Sequence, residues 1–139
     1  MRVILIESCG KISLKDCNNE SYAKDFRSLV QCISFSNKEV PLINDCLAEN
    51  SNSNVNMIYC DEESYEKDFN LLASCLVSGG QLNLDTILIG NVLLVNYIDG
   101  EFCDFSDTEF YNIEKYVKCI RNILIDNTLG DLRSTTLSA

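Results

Sequence analysis

The chain has no histidine and no tryptophan, a single proline, and no cysteine pair spaced Cys-x-x-Cys. Each absence closes a route. Without histidine, a serine or cysteine nucleophile lacks its usual base, which excludes the common triads and dyads of acyl transfer. Without histidine or Cys-x-x-Cys, a zinc site lacks its ordinary ligand spacing. No apolar run reaches the length of a signal-peptide core or a membrane span, since the run at residues 2–6 gives way at once to Glu7, Ser8 and Cys9. The expected location is therefore cytoplasmic, with no membrane. No Gly-rich phosphate loop or Lys/Arg patch is present, so neither nucleic acid nor a nucleotide is an expected ligand, and no cofactor is expected.

Positive charge is scarce as well. Eleven basic residues stand against 21 acidic ones, a net charge of −10. Such a field repels phosphate backbones and anionic lipid, and it favours a basic partner. The plainer reading is that acidity keeps a small protein soluble. With 46% hydrophobic residues in 139, the chain can form one packed domain and bury roughly two-thirds of its unfolded surface. Residues 1–130 are expected as that single domain and residues 131–139 as a flexible polar tail.

What the chain does have is a repeated frame. Residues 17–32 and 60–75 share Cys-x-x-Glu-Ser-Tyr-x-Lys-Asp-Phe-x-x-Leu-x-x-Cys without a gap, 43 positions apart, and a worn third copy can be traced from Cys103 to Cys119. The frame reads as a strand end leading into a capped amphipathic helix. In the first copy Tyr22, Phe26, Leu29, Val30 and Ile33 fall on one helical face after a cap at Asn18 or Asn19. In the second, Asp61 is the expected cap and Tyr65, Phe69, Leu72 and Leu76 the face, stopped by Gly79-Gly80. These aromatic pairs are most simply core.

Between the helices lie strands. Residues 2–7 and 11–16 suggest a hairpin, and residues 40–47 a strand opened by Pro41. Residues 49–54 read as an exposed polar loop and residues 55–60 as a strand. Residues 87–95 are nearly all apolar, as a central strand covered on both faces would be, and Asp99-Gly100 is a strong hairpin turn. Ser106-x-x-Glu109 is a capping box ahead of Phe110, Ile113, Val117, Ile120 and Leu124. The expected fold class is α+β: an antiparallel or mixed sheet with about three helices on one face, built from two or three strand-strand-helix repeats of about 43 residues. Ferredoxin-like and profilin-like layouts fit this order, as does the strand order of small adaptor and longin modules.

Eight cysteines allow a disulfide framework. Within one copy geometry weakens that reading, because a helix rising ~1.5 Å per residue would separate the flanking cysteines by roughly 20 Å. Pairing between copies, as of Cys17 with Cys60, stays open. In a reducing compartment most are expected as thiols. Cys60 at a helix start is the best reactive thiol, but the acids after it oppose a low pKa.

The functional expectation rests on acidic side chains. Asp61, Glu62, Glu63 and Glu66 gather at one helix start, and Asp99, Glu101, Asp104, Asp107 and Glu109 around the last hairpin and helix start. Side-by-side repeats would bring both groups to one edge, a surface suited to capture of a basic protein. The leading expectation is a non-enzymatic, acidic binding module for a basic protein partner, possible concrete forms being an immunity- or antitoxin-type nuclease inhibitor and a nucleic-acid mimic. The alternatives are an acidic scaffold or adaptor subunit of longin- or profilin-like build, and a small thiol-dependent enzyme.

Overall fold

The structure, a computed structural model, describes residues 1–44, 53–62 and 67–137, with the side chains of residue 84 and of residues 125–137 left aside. Cys46, Glu63, Tyr65, Glu66 and most of the polar loop at 49–54 lie outside the described residues. The elements follow as β1 (Arg2–Ile6), β2 (Ile12–Asp16), α1 (Tyr22–Val30), β3 (Phe35–Glu39), α2 (Pro41–Asn44), β4 (Ser53–Cys60), α3 (Leu71–Val77), β5 (Val92–Ile98), β6 (Glu101–Cys103) and α4 (Asp107–Leu137). Apart from the single turn of α2 and a 3-10 turn at Leu84–Thr86 after α3, that is strand, strand, helix given three times. The strands form one six-stranded antiparallel sheet in the order β2-β1-β5-β4-β3, with β6 paired to β5. The fold is α+β.

Two strands explain the layering. β1 and β5 are apolar at successive positions, Val3 to Ile6 and Val92 to Val95, so both of their faces demand cover. On one face α1 sets Phe26 and Val30 against Val3, Leu5, Ile58, Leu93 and Val95. On the other, Leu72 and Leu76 of α3 and Ile113, Val117 and Ile120 of α4 pack on Ile4, Ile6, Met57, Val92 and Leu94. Helices therefore cover both faces, which corrects the expectation of one covered face.

The two matching segments take different structures. Phe26 is 1% exposed in the core, whereas Phe69 is 65% exposed and forms an isolated bridge with Ile89. Residues 63–66, after the expected start at Asp61, lie outside the described residues; residues 67–70 are not helical, and the described helix of the second segment starts at Leu71. Asn70, where the first copy has Arg27, is the reason: Asn is a poor helix residue and a strong cap. It is fully buried; its Oδ1 accepts from the Ala73 N–H at 3.0 Å, and its Nδ2 donates to the carbonyls of Ile6 (3.1 Å) and Gly90 (2.9 Å). One amide thus ties α3 to β1 and to the start of β5.

Three boundaries also differ. Helix α1 stops at Val30 because Gln31 turns left-handed at φ 57°, leaving Ile33 exposed rather than on the apolar face. The strand expected at 40–47 is β3 at Phe35–Glu39, and Pro41 opens a helical turn, where its locked φ suits a first helical position. Helix α4 runs through Gly130 to Leu137, across most of the expected tail; a lone glycine costs a helix only about 1 kcal/mol. The Asp99-Gly100 turn has φ of 53° and 82°, as a two-residue hairpin turn requires. The capping box is formed: the Ser106 N–H donates to Glu109 Oε1 at 2.9 Å, and the Glu109 N–H to Ser106 Oγ at 3.1 Å.

Candidate functional site

The strand register separates the acidic groups. Asp61 follows Cys60 at the end of β4, beyond the Ile58–Leu93 pair, while Asp99 follows Ile98, which faces Ser53 at the start of β4. At about 3.3 Å per residue the two lie ~25 Å apart along the strands. They occupy opposite ends of the sheet rather than one edge, because β4 and β5 run antiparallel.

At the β4 end the acids hold the neighbouring edge strand. Ser36 Oγ donates to Asp61 Oδ2 at 2.6 Å, and the Ser34 N–H donates to Glu62 Oε1 at 2.9 Å. Hydrogen bonds from Ser34 first and Ser36 second hold the Asp61 carboxyl below the ordinary Asp value. These two residues have a structural task. Glu63 and Glu66 lie outside the described residues.

The hairpin end is richer. Asp99 and Glu101 flank the turn, Asp104 follows β6, Asp107 and Glu109 stand in the first turn of α4, and Asp16 closes β2 opposite Arg2. Arg2 is drawn into this group: its guanidinium donates to Asp107 Oδ1 at 2.7 Å and its N–H to Asp104 Oδ1 at 2.9 Å. The Asp107 bond raises the Arg2 pKa, with further field from Asp16 and Asp104. The Met1 ammonium donates to the Cys17 carbonyl at 2.7 Å and lies 3.9 Å from Asp104 Oδ1. Six carboxylates meet two bonded cations, so this end is strongly anionic.

A cleft of about 420 Å³ opens here, lined by Met1, Asn19, Tyr22, Phe102, Cys103 and Asp104. Tyr22 and Phe102 meet edge-to-face at 4.9 Å. Phe102 rests in turn on Tyr97 at 4.5 Å and Phe26 at 6.1 Å, so the walls are braced by the core. Burial, with a smaller effect from Tyr22, pushes the Tyr97 phenol up. Among the described residues both contacts to Asp104 fall on Oδ1 and none on its second oxygen. An aromatic wall beside a carboxylate is the chemistry that receives a cationic side chain: the rings take its methylene stem and the cation, the carboxylate its charge.

Of the expected residues that are described, Asp104 alone lines the cleft; Asp99 and Glu101 belong to the hairpin that supplies Phe102, and Asp107 and Glu109 to the first turn of α4 that follows it. Tyr22, Phe102 and Asn19 were not among the expected site residues. Tyr22 is read as core from its spacing, but as the first residue of α1 it stays 37% exposed. Phe102 carries a usable signal: two residues past Asp99-Gly100, it must lie opposite Tyr97.

No family model, curated protein or solved structure matches this chain.

Proposed function

We propose that the chain is a non-enzymatic protein-binding module that receives a basic segment of a partner protein at the hairpin end of its sheet. The observation that carries this reading is the cleft lined by Tyr22, Phe102 and Asp104 at the end of the sheet where the hairpin and the first turn of α4 bring further carboxylates. A Lys or Arg side chain entering it gains about 0.5–2 kcal/mol from the rings, depending on how fully it is desolvated. The surrounding charge adds association rate more than affinity. An inhibitor of the immunity or antitoxin type, covering the basic substrate surface of a nuclease, is the concrete form; such a surface is built to hold phosphates and accepts ordered carboxylates in their place.

The test is capture from native extract at low and high salt, with wild-type protein beside Tyr22→Ala and Asp104→Asn. A partner held by wild type at low salt, lost at high salt and weakened about fivefold or more by either substitution supports the reading. A partner retained equally by all three proteins at high salt overturns it. That outcome favours the adaptor reading, which has its own observation: Phe69, Leu71 and Leu82 are large apolar side chains left 43–65% exposed between β4 and β5.

A further inference from the structure

The last cysteine of the first matching segment meets the first cysteine of the second. Cys32 and Cys60 are bonded, with their Cα atoms 5.8 Å apart. Cys32 stands just after left-handed Gln31 at the end of α1, and Cys60 ends β4. The bond thus joins the helix of one face to the sheet.

The surroundings of the two sulfurs are unequal. Lys67 Nζ lies 3.6 Å from Cys60 Sγ and also donates to the Gln31 carbonyl, so its side chain reaches across the pair. Its stem rests on Gly90, where a built Cβ would come within 3.2 Å of Lys67 Cδ. The position of the ammonium is therefore supported from below. Cys32 Sγ instead lies 2.9 Å from the Ser34 carbonyl, whereas Cys60 Sγ lies 3.8 Å from the Glu62 carbonyl. The Glu62 carboxylate is within 4.8 Å of both sulfurs but is bonded to the Ser34 N–H. Asp61 is held by Ser36, and Arg27 Nε by the Ile33 carbonyl at 3.2 Å. The Glu62 charge opposes a thiolate on either sulfur and does not distinguish them; the Lys67 ammonium offsets it at Cys60, whereas Cys32 faces a carbonyl oxygen.

We propose that Cys32–Cys60 is a thiol–disulfide exchange site for low-molecular-weight thiols, in which Cys32 carries the mixed disulfide and Cys60 is the leaving and resolving sulfur. An external thiolate attacks Cys32 Sγ and forms the new S–S bond. The Cys32–Cys60 bond breaks, and its electron pair departs on Cys60 as a thiolate beside the Lys67 ammonium. A second external thiolate then attacks the external sulfur of the mixed disulfide, releasing Cys32 as a thiolate that water protonates. Two external thiols are oxidised to their disulfide as the protein disulfide is reduced, and the same steps run backward under an oxidised pool. The sulfur whose departing charge meets a cation leaves faster, and the Lys67 ammonium beside Cys60 thus directs attack to Cys32. Both cysteines are nearly buried, 6% and 5% exposed, so the site suits small thiols rather than proteins.

The experiment exposes the full chain to glutathione buffers of stepped redox ratio, quenches with an alkylating agent, and locates adducts by peptide mass spectrometry. Wild type is expected to show the intramolecular disulfide in oxidised buffer and a transient glutathione adduct on Cys32. Cys60→Ser accumulates that adduct. Lys67→Met slows reduction by about threefold or more and spreads the adduct over both cysteines, while its far-UV circular dichroism matches wild type. Adducts on Cys60 in wild type overturn the proposal, as does a Lys67→Met rate equal to wild type. Failure of the pair to oxidise at any ratio overturns it too. So does stoichiometric zinc on the two reduced thiols, which makes the pair, with Glu62, a metal site.

Discussion

Phe26 and Phe69 occupy the same place in a matching frame, and replacing each by alanine separates the two environments they have. The Phe26 ring is 1% exposed, 5.4 Å from Tyr22 and 6.1 Å from both Phe35 and Phe102. Removing it from so closed a site costs about 3–5 kcal/mol, transfer and cavity together. Phe69 is 65% exposed. Full burial of such a ring is worth about 1.5–3 kcal/mol, so the third that is covered contributes about 1 kcal/mol or less. With a urea slope of about 1.5–2 kcal/mol per M, the midpoint falls by about 1.5–3 M for Phe26→Ala and by about 0.5 M for Phe69→Ala. Equilibrium unfolding followed by tyrosine fluorescence and far-UV circular dichroism measures both. Should Phe26→Ala fail to fold, Phe26→Leu still separates the sites. Equal shifts at the two positions refute the account, because they would mean that the second segment forms the same helix as the first.

Asn70→Ala removes a cap and two buried bonds at once, and is expected to cost about 3–4 kcal/mol against less than about 1 for Asn83→Ala, an exposed cap of a single 3-10 turn; a cost under about 1 kcal/mol at Asn70 contradicts its linking role. The Asp61 carboxyl, held down by Ser34 and Ser36, should titrate below free Asp by NMR. Because its folded pKa is depressed, what it adds to stability is present above the unfolded Asp pKa and is lost as pH falls through the folded value, so Asp61→Asn should flatten the acid limb of the unfolding curve. Thiol labelling of native protein should be fast at exposed Cys9 and Cys119, and should reach fully buried Cys75 only on unfolding, since burial both hides that thiol and raises its pKa. Early labelling of Cys75 would mean that α3 is not packed as described.

Much of this architecture is legible in the residues. The apolar run at residues 87–95 reads as a strand covered on both sides, although the helices are expected on one face and pack on both. Asp99-Gly100 forces a hairpin, and Ser106 with Glu109 marks a helix start to the residue. The repeat is where reading by pattern stops short. The frame matches at Phe26 and Phe69, yet one Asn in place of Arg moves a helix start, because a buried amide with three partners outweighs local periodicity. The candidate site was half visible. Its carboxylates follow from turn and cap chemistry, but which of them share an end depends on antiparallel register between β4 and β5, a non-local fact. The aromatic walls were hidden for the opposite reason: Tyr22 and Phe102 have core spacing and only the sheet's end exposes them.

The most direct test of the proposed role is an NMR titration of the full chain with a short peptide bearing one Lys or Arg, at low salt. The account predicts fast-exchange shifts concentrated at Asn19, Tyr22, Phe102, Cys103 and Asp104. These should shrink with added salt and be largely lost in Tyr22→Ala. Shifts centred on Asp61 and Glu62, or shifts at the cleft that persist unchanged in Tyr22→Ala and Asp104→Asn, would contradict it.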